Sequence, residues 1–289
     1  MNMRKIIITG GAGFVGSHLC ERLSKNKDND VFSLDNYFTG SEDNHVENVS
    51  YIKGDTRNIE KIIKFKPDII FHLGEYSRVE QSFDDVNKVY EYNKVGTFSV
   101  LEFARKHGCK IIYAGSSTKF GDGGLGRSAS PYAWAKATNT ELIINYGNWF
   151  NVPYAITYFY NVYGGREIKS GKYSTLIAIF KEQMRNGKDL TVVSPGDQKR
   201  NFTHIDDIVN GLLIVAENGY GDEFGIGSPD EYSILDVANL FKGTIQMLPE
   251  RRGNRMVADV ITSKTEALGW KPQECIKSYI EECRSNGWV

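Results

Sequence analysis

The sequence is short of the features that mark a secreted, membrane-spanning or metal-dependent protein. Its four cysteines (Cys20, Cys109, Cys275 and Cys283) show no metal-type spacing. Spread through 289 residues, they read as reduced thiols of a cytoplasmic protein rather than as a disulfide framework. The five histidines are equally scattered, so no metal is expected. No apolar run approaches the roughly 20 residues that cross a bilayer. The first strand-like run begins too early for a signal peptide to precede it, so none is expected. Neither sign of charge dominates: the formal net charge is −1, which gives no ground for binding nucleic acid or an anionic membrane. Low-complexity tracts and an obvious long linker are also missing. What remains is 40% hydrophobic and 25% charged, an ordinary globular composition. The length suits one large domain or two unequal ones.

The chain is organised around Ile6-Ile7-Ile8-Thr9-Gly10-Gly11-Ala12-Gly13-Phe14-Val15-Gly16. A strand-length apolar run ends in a glycine turn, and a helical pattern starts inside that turn. Gly10 permits a sharp turn, Gly13 a close approach to a ligand, and Gly16 tight packing of helix on strand. A helix N-terminus placed there presents free N–H groups and partial positive charge to a pyrophosphate. The spacing is G-x-x-G-x-x-G rather than the commoner G-x-G-x-x-G.

Strand-length runs then alternate with helical patterns. Strands are expected at Val31–Leu34, Val49–Lys53, Ile69–Leu73, Lys110–Ala114 and Tyr154–Phe159. Helices are expected over 14–25, 82–106 and 132–149. This rhythm predicts an α/β protein with a Rossmann-type doubly wound parallel sheet, covered on both faces. After about Gly164 it loosens into a helix over 172–186, a strand at Leu190–Val193 and a helix over 205–217. A smaller, irregular α/β lobe is expected over 165–289, after a dinucleotide-binding domain over 1–164, with 201–227 packing back on the first domain.

Ligands of such sheets sit at the carboxyl ends of the strands. Asp35 ends the second strand, where a carboxylate accepts hydrogen bonds from both ribose hydroxyls and repels a 2′-phosphate, so NAD is favoured over NADP. Asp55, after the third strand, is placed to receive an adenine amino group. Tyr132-Ala133-Trp134-Ala135-Lys136 puts a phenol and an ammonium on one helix face. The ammonium favours the phenolate, a base for a substrate hydroxyl. Ser116, just past the fifth strand, is placed to hold the same oxygen.

The glycine loop, Asp35, Asn93, Ser116 and Tyr132/Lys136, in this order, resemble the extended short-chain dehydrogenase/reductase family. More narrowly, the chain is similar to its NAD-dependent nucleotide-sugar epimerases and dehydratases, including UDP-glucose 4-epimerases. Further segments carry the resemblance nearly end to end. They include His72-Leu73, Asn93-Lys94-Val95-Gly96-Thr97, Tyr158 to Gly164, Gln198 to Asp207, and Leu268-Gly269-Trp270-Lys271-Pro272. The resemblance implies a catalytic set of Ser116, Tyr132 and Lys136. It implies NAD contacts from Gly10, Gly13, Phe14, Val15, Asp35, Asn36, Asp55, Thr56, Leu73 and Phe159, together with Tyr132 and Lys136. Ser117 and Asn161 would touch the sugar end of a UDP- or GDP-sugar, while Arg200, Arg251 and Asp259 would hold its nucleotide diphosphate. Guanidinium forks suit phosphate oxygens. Relatives pair the helices near 82–106 and 132–149 into a four-helix bundle, so a homodimer is expected; Tyr90, Phe98, Leu142 and Trp149 are either its contacts or residues that face the internal sheet.

Several positions depart from the family pattern. Dehydratases carry an Asp-Glu pair where this chain has Ser117 and Thr118, so elimination of water is disfavoured. Glu75 replaces a small residue, as a contact to sugar hydroxyls or as a structural salt bridge. Tyr158 replaces an arginine, Phe120 a tyrosine and Gly225 an asparagine. The loop between Phe120 and Tyr132 is short and glycine-rich, which suggests an open site roof. A 4-epimerase or a 4-dehydrogenase that releases its keto-sugar is therefore expected, in surface polysaccharide synthesis; an outsized sugar such as a GDP-heptose would suit the open roof. A non-catalytic NAD-binding regulator is the alternative.

Overall fold

The computed structural model describes residues 3–120, 122–250 and 259–288. The first half runs β1 (Arg4–Thr9), α1 (Phe14–Ser24), β2 (Asn29–Asp35), β3 (Val49–Lys53), α2 (Ile59–Ile62) and β4 (Ile69–His72). It continues through α3 (Val86–Val89), α4 (Gly96–His107), β5 (Lys110–Ser116), α5 (Pro131–Phe150) and β6 (Tyr154–Phe159). The second half begins with β7 (Val162–Tyr163), α6 (Leu176–Arg185), β8 (Leu190–Val193), β9 (Lys199–Asn201), β10 (Thr203–His204) and α7 (Ile205–Asn218). It closes with β11 (Gly221–Ile226), β12 (Glu231–Ser233), α8 (Ile234–Phe241), β13 (Ile245–Leu248), α9 (Ser263–Ala267) and α10 (Ile276–Ser285).

Seven of these strands form one sheet in the order β11-β6-β5-β4-β1-β2-β3. Every neighbouring pair is parallel. This is the expected doubly wound sheet. Its strands are apolar because both faces are covered: Ile6, Ile7 and Ile8 of β1 are all fully buried. Ile6 and Ile8 pack under α1 and α7, whereas Ile7 packs with Val100, Leu101 and Ile143 on the opposite face. The winding reverses between β1 and β4, and this reversal opens a crevice at their carboxyl ends. There the two backbones touch, since a Cβ on Gly10 would lie 2.8 Å from Gly74 Cα.

A further core collects Tyr163, Ile177, Phe180, Leu190, Val237 and Phe241, away from the main sheet. β11 and α7 belong to the main sheet and its covering layer. The segment after residue 258 is tied down by α7. Trp270 Nε1 donates to the Asp207 carbonyl (2.9 Å), and the Asp207 carboxylate caps Gln273 N and Glu274 N, each at 3.0 Å. Gly225 is explained by the same segment, because a Cβ there would lie 1.9 Å from the Ile261 carbonyl oxygen.

One expected element differs. The helix predicted over 82–106 is interrupted by a widened π turn at Tyr90–Val95, between α3 and α4. The turn brings the buried Asn93 amide onto the backbone of Tyr76, accepting from its N–H (2.7 Å) and donating to its carbonyl (2.9 Å). Tyr90, Phe98 and Trp149 face outward and are exposed, whereas Leu142 packs on the internal core.

Candidate active site

A single cleft of ≈ 870 Å³ runs from the glycine loop, past β4 and β5, to the second lobe. Gly10 has a φ of +76°, the left-handed conformation that turns the chain off β1. A Cβ on Gly16 would lie 2.1 Å from the Gly10 carbonyl oxygen, so α1 can start this close only with glycine. Gly13 caps α1, whose first turn carries no acidic residue. The free N–H groups and dipole of α1 therefore meet no carboxylate of their own turn, the arrangement an anionic pyrophosphate requires.

Asp35 lies beside that helix end. Its carboxylate accepts from Ala12 N (3.0 Å) and Tyr37 N (2.8 Å) and is largely buried. Burial pushes its pKa up, and the two backbone hydrogen bonds oppose that shift. Lone pairs remain for further donors such as ribose hydroxyls. Asp55 is placed differently from the expectation. Its carboxylate is engaged by Arg57 Nε (2.8 Å), Arg57 Nη2 (3.0 Å) and Asn36 Nδ2 (3.2 Å), and it is not among the cleft-lining residues, although Thr56 and Asn36 are.

At the other end of the cleft, Ser130 caps α5 by accepting from Ala133 N (3.1 Å), and Pro131 occupies the first turn. This start aims Tyr132 and Lys136 of the same face into the cleft. Ser116, at the end of β5, lines the same cleft, and its hydroxyl is 2.9 Å from Thr118 Oγ1. Thr118 was not anticipated as a partner of Ser116, although its place two residues on offered that signal.

Glu75 turns inward, as the salt-bridge alternative had it, and not toward sugar hydroxyls. Its side chain is 1% exposed and is ion-paired with Lys136. Thr97 Oγ1 (2.8 Å), Asn139 Nδ2 (2.9 Å) and Tyr113 Oη (3.2 Å) also donate to it. Those donors occupy the acceptor capacity of the carboxylate.

The remaining expected residues divide clearly. Phe14, Val15, Leu73, Ser117, Phe159, Asn161 and Arg200 line the cleft. Asp259 is exposed and does not line it, and Arg251 lies outside the described residues. Tyr158 and Phe120 do not face the cleft either. Tyr158 is fully buried, donates to Asp222 (2.6 Å) and meets the Phe120 ring edge-on, so these two departures alter the wall behind the site. Arg78 was missed. Its guanidinium lines the cleft with carbonyl partners, Tyr173 O (2.8 Å from Nε) and Ser77 O (3.0 Å), and forms no ion pair among the described residues. Burial lowers its pKa. Its place just before the matched Val79 was the available signal. No group of three or more His, Cys, Asp or Glu residues is placed to hold a metal among the described residues.

A glycine cradle at the reversal of a parallel sheet, with Asp35 beside it, defines a dinucleotide-binding enzyme. Residues 6–227 match the model of the NAD-dependent epimerase/dehydratase family. The chain belongs to that family, and NAD is its cofactor. It is 30% identical to a putative UDP-glucose 4-epimerase of Methanocaldococcus jannaschii, over 96% of each chain. It is also 30% identical to UDP-glucuronic acid decarboxylase 5 of Arabidopsis thaliana, over 94% of this chain and 85% of that one. Among solved structures, UDP-glucose 4-epimerase of Thermotoga maritima with UDP-glucose superimposes with a TM-score of 0.91 at 25% identity. That match covers 98% of this chain and 99% of the other.

Proposed function

We propose that this enzyme oxidises a nucleotide-diphosphate sugar at carbon 4, as a 4-epimerase or as a 4-dehydrogenase that releases the keto-sugar. The observation that carries this reading is the convergence of Ser116, Tyr132 and Lys136 on the cleft that also holds the glycine cradle. The N-terminus of α1 would hold the NAD pyrophosphate and Asp35 the adenosine ribose. When bound, NAD supplies the two-electron acceptor for the hydrogen of carbon 4. Tyr132 Oη takes the proton of the O4 hydroxyl, and the bond to oxygen becomes a ketone. Ser116, oriented by Thr118, holds the same oxygen in line. Arg200 and Arg78 supply the cations that a diphosphate needs. We read residues 1–164 with 201–227 as the cofactor unit and the rest as the sugar lobe. The exposed Tyr90, Phe98 and Trp149 are our candidate homodimer face.

A second reading comes from the decarboxylase relatives. Oxidation at carbon 4 of a uronic acid places a ketone β to the carboxylate, and such an acid readily loses carbon dioxide. Dehydration is the less favoured outcome, since Ser117 and Thr118 offer no carboxyl group. Incubation with NAD and a panel of UDP-, GDP- and dTDP-sugars, UDP-glucuronic acid included, separates these by NADH absorbance and product mass. An isobaric product identifies an epimerase, and NADH with a product lighter by two hydrogens a dehydrogenase. Loss of carbon dioxide identifies a decarboxylase. Tyr132→Phe should lower turnover by about 10²–10⁴-fold; unchanged turnover would refute the assignment of Tyr132 as base.

A further inference from the structure

Lys136 is held more tightly than a lysine that only has to face a cofactor. Its ammonium has three N–H bonds. One goes to the buried Glu75 carboxylate and one to the Ala114 carbonyl (2.6 Å). The tetrahedral nitrogen therefore has a single N–H left, in a direction set by the other two.

Glu75 is itself braced from the glycine loop. Thr97 has one hydroxyl proton and gives it to Glu75 (2.8 Å), so at the Thr97–His72 contact (2.9 Å) the imidazole Nε2 is the donor. His72 Nδ1 is then the acceptor for the Thr9 hydroxyl at 2.8 Å. Burial holds this imidazole neutral, with its pKa pushed down to about 4, which agrees with that proton order. Thr9 Oγ1 also accepts from Gly74 N at 2.9 Å. A continuous polar chain thus runs from the residue before Gly10 to the Lys136 ammonium.

We propose that Glu75 is a positioning residue for the Tyr132–Lys136 pair. It directs the one free Lys136 N–H into the cleft and, by pairing with the ammonium, restrains the positive charge that Tyr132 feels. The proposal rests on the reading of Tyr132 as the base. The other charged or titratable groups around the pair are Tyr113 on β5, His72 on β4, Lys94 on the π turn and Arg78 after β4, together with Tyr76, Tyr92 and Tyr173, which pack in one cluster with Tyr132. The Tyr76 and Tyr173 hydroxyls are both given to Asp85. Lys94 is occupied by Thr138 (3.0 Å) and Asn139 (2.8 Å) on α5. Tyr113 gives its hydroxyl to Glu75 and its ring face to Lys136. Glu75 is therefore the carboxylate seated on Lys136.

The test needs no knowledge of the sugar. Tyrosinate ultraviolet absorbance of the NAD-loaded protein is followed against pH, and the same titration of Tyr132→Phe is subtracted to isolate Tyr132. Glu75→Gln keeps the shape and removes the negative charge, so the Tyr132 step should move toward acid by about one pH unit. Glu75→Asp keeps a charge for folding but draws it back from Lys136, and should move the step the same way by less. A residue that only filled space would leave the step in place in both variants, and that result would overturn the proposal. If the wild-type difference titration showed no Tyr132 step at all, the base assignment itself would fall. A step that is present but unmoved would overturn the role of Glu75 alone.

Discussion

Glu167 gives the sharpest test of how burial sets the pH dependence of this fold. It lines the cleft just after β7 and is 6% exposed. Its carboxylate accepts from Thr175 Oγ1 (2.5 Å) and Gly164 N (3.2 Å), and among the described residues it has no ion pair. Burial pushes its pKa from 4.5 up to about 7, against the opposing pull of those two hydrogen bonds. Below pH 4.5 the group is protonated whether the chain is folded or not, and burial carries no penalty. As pH rises from 4.5 to 7, the unfolded chain releases the proton while the folded chain keeps it. Stability therefore falls through that window and stays lower above it. At about 1.4 kcal/mol per pH unit, the loss amounts to roughly 3 kcal/mol. Glu167→Gln removes the titration and can keep both contacts, its carbonyl accepting from Gly164 and its amide donating to the Thr175 oxygen. Urea unfolding followed by tryptophan fluorescence, at a series of pH values, compares the two proteins. The variant should gain on the wild type steadily from pH 4.5 to 7 and stay ahead at pH 8. A constant difference across the whole range would refute the reasoning, since it would mean that Glu167 ionises equally easily in both states.

Two other substitutions probe the cofactor end. Asp35→Ala removes the acceptor proposed for two ribose hydroxyls and also frees Ala12 N and Tyr37 N, so NAD affinity measured by calorimetry should fall by roughly 10–100-fold. Gly16→Ala places a methyl group 2.1 Å from the Gly10 carbonyl oxygen, a backbone atom that cannot swing away. The expected cost is about 1–3 kcal/mol, read as a lower thermal midpoint together with weakened NAD binding.

Much of the cofactor half was legible because its signals are local. The run Ile6-Ile7-Ile8 followed by glycines is a strand and a turn in any context that buries it. Val49–Lys53 and Tyr154–Phe159 fall on observed strands residue for residue. Ser116, Tyr132, Lys136 and Asp35, singled out as candidates from strand ends, helix spacing and the family resemblance, line one cleft.

What the sequence by itself determined is therefore the alternation of strands and helices in the first half, the glycine turn and a short set of candidate side chains; β11, which completes the main sheet, was not among the expected strands. Tertiary structure decided which way those side chains turned and what they paired with. Glu75 and Lys136 are 61 residues apart, and their ion pair exists only because folding brings the segment after β4 against α5. Tyr158 was turned into the wall by Asp222, 64 residues away, and meets the Phe120 ring there, whereas Asp55 is held by a near neighbour, Arg57. The π turn at Tyr90–Val95 escaped periodicity for a related reason, since its widened geometry accompanies the hydrogen bonds between the Asn93 side-chain amide and the backbone of Tyr76. Apolar periodicity reports whether a face is buried. It carries no information about which polar group waits on the other side, because that depends on chain segments brought together only by folding.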